Sequence, residues 1–341
     1  MFVKNVAIES VEYVSPPHAI TSAEIENRLS DTMQRLGMKP GYMEALTGIH
    51  ERRWWDPGTM PSDAATMAAR KVIETSGIDP GEIGAVINTS VSKDCIEPSV
   101  ACLVHGNLKL PPTCMNYDVG NACLGFVNGM MNVILMIEAG LINYGLIVNG
   151  ESSREPIEAT IGELQSPDLT MKQFFENFAT LTLGSGAVAM LLCRKDLSTS
   201  GHYINGAVTL AATQHSRLCL GQPTKMVTDA QKVLLHGVEL AHATWQLASE
   251  TLENWSDETI DVYIPHQVSL RNMDALNTTL GLTPEKSHLN LMTQGNVGPA
   301  ALPITLAMAR DEGRFKPGSH VALMGIGSGL NCTMMSTSWN G

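Results

Sequence analysis

The chain has 341 residues, 44% of them hydrophobic, and a formal net charge of −12. That length buries a substantial core in one or two domains, and the acidic balance argues against nucleic acid or an anionic membrane surface as partners. It leaves room for a small anionic ligand, because a few local arginines suffice to hold a phosphate.

In chain order, Met1 to Ile8 lacks the apolar run of a signal peptide, and no stretch of about 18 uninterrupted apolar residues follows, so neither export nor a membrane span is expected. Ser62 is expected to cap a helix from Asp63 to Thr75, ended by Gly77 and Pro80. Ile83 to Thr89 reads as a buried strand and Thr113 to Val119 as a short extended segment. Leu124 to Ala139 carries apolar residues at helical spacing and is closed by Gly140. Cys123 is thereby placed in the first turn of a buried helix, where free N–H groups and the helix dipole favour a thiolate. An inert packed cysteine is the plainer alternative on local sequence alone.

Tyr144 to Asn149 is a further buried strand, and the polar stretch Arg154 to Asn177 reads as an excursion over the core, a lid or a subunit contact. Lys195 to Gly201 breaks the apolar pattern, and Val262 to Pro265 and His320 to Met324 resume it as strands. Strands alternating with helices mean an α/β fold with helix-covered sheets. The seven cysteines form no CxxC pair and no Cys/His cluster at zinc spacing. This reads as a reduced, cytoplasmic protein without structural disulfides or metal. Nineteen methionines against six phenylalanines suit either a wall around a variable apolar guest or simple core filling.

The two halves of the chain resemble each other. Ile87 to Ser92 resembles Ile264 to Ser269, an offset of 264 − 87 = 177. Gly120 to Cys123 resembles Gly295 to Gly298, an offset of 295 − 120 = 175, and Tyr144 to Val148 parallels His320 to Met324, an offset of 320 − 144 = 176. Three matches in order at nearly one offset suggest a duplicated unit. The boundary is expected near Asp196 to His202, giving halves of 1–198 and 199–341. A pseudo-twofold axis between them brings the loops of Cys123, His266 and Asn296 to one site.

Asn121-Ala122-Cys123-Leu124-Gly125-Phe126, Pro265-His266-Gln267-Val268-Ser269-Leu270-Arg271 and Gly295-Asn296-Val297-Gly298-Pro299-Ala300-Ala301 resemble the three active-site motifs of ketoacyl synthase III enzymes, members of the thiolase superfamily. Gly325 to Leu330 is similar to that family's glycine-rich C-terminal loop, and Thr47 to Arg53 to its N-terminal signature. The resemblance covers almost the whole chain. It implies the thiolase fold, two pseudo-twofold-related halves in a five-layer αβαβα arrangement, as a homodimer. It also implies that Cys123 accepts an acyl group, that His266 and Asn296 donate hydrogen bonds to a developing enolate, and that the N–H groups of Cys123 and Ser328 form a second oxyanion hole.

Departures from the family pattern narrow the reaction. Ser269 stands where malonyl-decarboxylating members usually carry a second Asn, and Gly295-Asn296-Val297-Gly298-Pro299 replaces Gly-Asn-Thr-Ser. Leu46 replaces the arginine that stacks on the coenzyme A adenine. Met324 stands where acetoacetyl thiolases need a second cysteine, and Cys332 lies on the wrong side of that loop. A condensation without decarboxylation needs a base for an α-proton. Glu97, 26 residues before Cys123, resembles the glutamate that supplies this base, from the neighbouring subunit, in the OleA group of head-to-head condensing enzymes of bacterial olefin biosynthesis. An exposed loop glutamate beside the turn at Pro98 is the alternative reading.

The expected function is therefore a non-decarboxylating Claisen condensation of two long-chain acyl-CoA molecules to a 2-alkyl-3-ketoacyl product, through acyl-Cys123. No cofactor is expected beyond the acyl-CoA substrate, and downstream pathway enzymes are further expected partners. Two rivals stand beside it. One is decarboxylative condensation with a malonyl-carrier protein, in which Arg271 docks the carrier. The other is a non-catalytic subunit that shapes an acyl tunnel, against which Cys123 weighs. No Gly-x-Ser-x-Gly elbow supports a serine hydrolase.

Overall fold

The computed structural model describes residues 1–340. Nine strands form the main sheet: β1 Val6–Val14, β2 Ile83–Asn88, β3 Met115–Asp118, β4 Tyr144–Glu151, β5 Gly186–Arg194, β6 Tyr203–Ala211, β7 Val262–Pro265, β8 Ser319–Gly327 and β9 Asn331–Trp339. Their spatial order is β7-β8-β9-β6-β1-β5-β4-β2-β3. The first five strands thus run 3-2-4-5-1. The last four repeat that order as 2-4-5-1, with the counterpart of β3 reduced to a single bridge between Tyr263 and Ser287.

Strand directions repeat as well. β2 and β7 pair parallel with β4 and β8, which pair antiparallel with β5 and β9. The register follows the offset read from the sequence: Ile87 faces Ile147, and Ile264 faces Leu323, displaced by 264 − 87 = 177 and 323 − 147 = 176. The two half-sheets are hydrogen-bonded into one, because β1 and β6 meet at Ala7 and Tyr203.

Helices fill the layers. The Gly125–Glu138 and Ala301–Asp311 helices share the central core, where Phe126, Met130, Ile134, Leu302 and Leu306 meet Ile8, Ile87, Ile264 and Leu323 from the strands. The Pro61–Ser76 and Val100–Leu108 helices cover one outer face through Ala64, Ala68, Val72 and Val104. The Ala230–Thr251 helix covers the other through Leu240, Ala241 and Ala248.

The Pro61–Ser76 helix begins two residues before the expected start. Pro61 occupies the first helical position, and the Asp63 carboxylate accepts from the Met60 N–H. Ser62 is free to donate to Asp94 instead, at 2.6 Å. The excursion after β4 forms two helices, Arg154–Leu164 and Met171–Asn177, and buries Ile157, Ile161, Leu164 and Phe174 against Ile25, Leu29 and Met33. The segment expected to divide the halves is held by Glu9, whose carboxylate accepts from Ser198, Thr199 and Ser200. Among the described residues, no helix is long and apolar enough to cross a membrane.

Candidate active site

Three tight turns, each following a strand or bracing one, deliver the site. After β3 the chain turns through Ala122, a non-glycine residue at φ 45°, so that Cys123 stands just ahead of the Gly125–Glu138 helix. Leu124, not Cys123, opens that helix, and the Leu124 N–H is satisfied by Asn121 O at 3.0 Å. The expected place in the first turn is corrected by one step. The positive-φ residue before Cys123 is the kind of local strain that the surrounding packing must hold.

The turn at the end of β8 supplies that packing. A Cβ on Gly327 would stand 2.9 Å from the Leu124 nitrogen and 3.2 Å from Asn121 O, so glycine there lets the two loops touch backbone to backbone. Asn331 adds a hydrogen bond from its amide to Asn121 Oδ1 at 3.4 Å.

His266 follows β7, its backbone N–H bonded to Met324 O at 2.9 Å. Ser269, the expected replacement for a second asparagine, caps the Leu270–Leu280 helix by accepting from Asn272 N. Asn296 is held on three sides. Its N–H donates to Thr182 O and its carbonyl accepts from Gly184 N, both at 2.9 Å, and its Oδ1 accepts from Gly298 N at 3.0 Å. With the side-chain oxygen occupied, the amide NH2 is the end left to donate.

The N-terminal signature braces this bracket. Arg52 is fully buried and donates to Leu181 O, Ser22 Oγ and Ile20 O, and Arg53 O accepts from Ser185 N.

Cys123, His266, Asn296 and Ser328 line one cavity. Its walls are apolar: Met226, Val233, Leu234 and Val238 on one side, Met273, Leu276, Met324 and Met334 on others. Four methionines thus face the cavity, while others, such as Met130, Met190 and Met335, are core. The Cys219–Gln222 and Lys225–Thr228 hairpin and the Ala230–Thr251 helix contribute walls that sequence reading missed. Apolar residues at helical spacing look alike whether they face a core or a cavity.

Burial sets the charge states. It pushes the Cys123 thiol up to about 12, and the nearby Cys219 and Glu151 push the same way, against its own N–H. The lowered thiol pKa expected from a helix start is therefore reversed, because burial outweighs one local donor. Burial also pushes His266 down to about 4, so the imidazole is neutral at pH 7. Its buried Nδ1 has no hydrogen-bond partner. An unpartnered acceptor is tolerated better than an unpartnered N–H, which assigns the proton to Nε2.

With this geometry in place, the known relatives are informative. Residues 251–339 match the family described as 3-oxoacyl-[acyl-carrier-protein (ACP)] synthase III C terminal. The chain is 42% identical to an acyl-CoA:acyl-CoA alkyltransferase of Xanthomonas campestris, over 99% of this chain and 100% of that protein. It is 40% identical to one of Shewanella oneidensis, over 98% and 99%. The chain belongs to the acyl-CoA:acyl-CoA alkyltransferase family.

A variant of Xanthomonas campestris OleA with bound lauric acid and lauroyl-CoA is 42% identical in sequence and matches with a TM-score of 0.96, covering 99% of this chain and 100% of that one. The cerulenin-bound form of that OleA matches with a TM-score of 0.97. This alkyltransferase-family chain has the thiolase fold that its motifs implied.

Two expected residues lie outside the cavity. Arg271, at the second position of its helix, is exposed. Glu97 sits on an exposed loop tip beside Ile96, an isoleucine 96% exposed. The root of this loop is tightly held, although its tip projects. Glu151 accepts from Val91 N at 2.7 Å, Ser92 N at 3.0 Å and Ser92 Oγ at 2.8 Å. Lys93 donates to Asp118 at 2.7 Å, Asp94 accepts from Ser62 N, and Asp118 also accepts from Ala101 N. Burial pushes Glu151 up to about 7 despite those donors. Nothing in its sequence position, at the end of a buried strand, singled it out.

Proposed function

We propose that this enzyme joins two acyl-CoA molecules head to head without decarboxylation, with long-chain acyl groups as substrates and a 2-alkyl-3-ketoacyl thioester as product. The observation that carries the reading is one apolar, methionine-walled cavity with Cys123, His266, Asn296 and Ser328 at its polar end. The family relatives named acyl-CoA:acyl-CoA alkyltransferases support it.

In the first half-reaction the Cys123 sulfur attacks the thioester carbonyl of one acyl-CoA. The carbonyl oxygen takes up negative charge against the N–H groups of Cys123 and Ser328, coenzyme A leaves, and the thiol proton ends on its sulfur. Burial holds the Cys123 thiol protonated, so the proton is lost as the sulfur attacks, and the oxyanion-hole N–H groups offset the charge that develops on the carbonyl oxygen. In the second half-reaction Glu97 of the partner subunit takes an α-proton from the second acyl-CoA. The enolate oxygen is held by neutral His266 through Nε2–H and by the Asn296 amide. The α-carbon then attacks acyl-Cys123, the Cys123 sulfur departs, and the proton taken up by Glu97 returns through solvent to restore the Cys123 thiol. Each well-placed donor of this kind is worth about 3 kcal/mol.

Ile96 supports the subunit assignment: a nearly fully exposed isoleucine beside the base, on a loop braced at its root, fits a tip that inserts into a second copy. In this reading the enzyme is a homodimer, the halves divide at 198/199, and Arg271 is a surface residue unless a carrier protein docks there.

Product mass spectrometry after incubation with a single saturated long-chain acyl-CoA tests the reaction class. The expected product contains both chains less one coenzyme A, with no malonyl donor supplied. Product formed only when malonyl thioester is present, with release of carbon dioxide, would favour the decarboxylative rival.

A further inference from the structure

We propose that Glu151 is a positioning residue for the condensation step, fixing the root of the loop that presents Glu97 to the neighbouring subunit's site. The inference rests on the reading of Glu97 as the base.

Glu151 is the last residue of β4 and only 6% exposed. Its carboxylate spends both oxygens on one short stretch: Oε1 on the Val91 N–H, Oε2 on the Ser92 N–H and hydroxyl. The Ser92 hydroxyl in turn accepts from Ser152 N at 3.1 Å, closing a small ring of hydrogen bonds. A buried carboxyl group that accepts three hydrogen bonds, two of them from backbone N–H groups, is a stiff clamp, because water does not compete for them.

What it clamps begins six residues before Glu97: Val91 and Ser92 are the first residues of the projecting loop, and Glu97 is at its tip. Beyond Lys93 and Asp94, which Asp118 and Ser62 brace, the tip has little of its own to hold it, the Cys95 thiol contact to Pro98 O at 3.7 Å being one of its few bonds. Its direction is therefore set from below.

The same carboxyl reaches the chain's own site. A Cβ on Gly298 would lie 4.0 Å from Glu151 Cδ, and the Gly298 N–H is the group that fixes Asn296 Oδ1. One buried side chain thus holds the loop that carries the base outward and lies beside the loop that carries an enolate donor inward. Both serve condensation, whereas the N–H groups of Cys123 and Ser328 serve acylation.

Glu151→Gln keeps the size of the side chain but must present an NH2 to a backbone N–H or give up one bond, so the root shifts. The two half-reactions are measured separately: coenzyme A release in a single turnover for acylation, and product formation for condensation. Glu151→Gln is expected not to slow acylation, since loss of the Glu151 charge eases ionisation of the Cys123 thiol, and to lower condensation about tenfold or more, as small misplacements of reacting groups do. Glu151→Asp, which keeps a carboxyl group with two acceptor oxygens, is expected to recover part of the loss.

A purely structural role would lower both half-reactions together, and that result, or an unchanged condensation rate, overturns the proposal. Should Glu151→Gln fail to fold, the same split is required of Glu151→Asp, at smaller size. Glu97→Ala runs alongside. If it blocks condensation while the Glu151 variants show no split, only the present inference fails; if it condenses normally, the base assignment fails and takes this inference with it.

Discussion

His266 illustrates how one residue's surroundings decide its chemistry. A histidine in water titrates near 6.5, and burial here holds it down at about 4. As pH falls from about 6.5 to about 4, the unfolded chain takes up a proton at this position that the folded chain does not. More protons bound in the unfolded state means that stability drops as the pH is lowered through this window, by on the order of 3 kcal/mol for this residue. Glu151 acts with the opposite sign. Its folded value, about 7, lies above the ordinary 4.5, so the folded chain holds the extra proton and stability drops as pH rises between them. Thermal melting of the enzyme and of His266→Asn between pH 4 and 7 tests the first statement. The variant should lose less stability on acidification than the parent, and parallel curves would mean that His266 titrates normally in the folded protein.

At the scale of elements, the active turns depend on close approach. Gly327→Ala would drive a Cβ into the backbone of the Cys123 turn, whereas Gly106, inside the Val100–Leu108 helix, has nothing within 4 Å of an added Cβ. The first substitution should cost about 1–3 kcal/mol and slow acylation of Cys123, since overpacking moves backbone; the second should be neutral or slightly stabilising. Equal melting temperatures and acylation rates for the two variants would contradict the packing argument.

Strand–turn–helix punctuation made much of this legible in the sequence. The strands at Ile83, Tyr144, Val262 and His320 are where apolar runs placed them, and the loops of Cys123, His266 and Asn296 follow from the offset between the halves. Other features were hidden for physical reasons. The helix start moved past Cys123 because Ala122 adopts a positive φ that no residue preference announces. Ser62 does not cap because Pro61 already opens the helix and puts Ser62 at its second position, where its hydroxyl donates to Asp94, far along the chain. Glu151 matters only through what folding brings to it, two N–H groups about sixty positions earlier in the sequence.

For the whole molecule, the nine-stranded sheet keeps the acyl cavity within each chain and lets the Glu97 loop project away from it. That separation is the central claim: a working site takes Cys123, His266 and Asn296 from one chain and Glu97 from another. Mixed dimers test it most directly. Cys123→Ala and Glu97→Ala are each expected to be inactive in condensation as homodimers. Co-expressed and purified as the mixed dimer by two different tags, they leave one site with an intact Cys123 facing an intact Glu97 of the partner subunit. Condensation should return at about half the parental rate, one site in two being whole. A mixed dimer that forms but stays inactive would contradict the shared site.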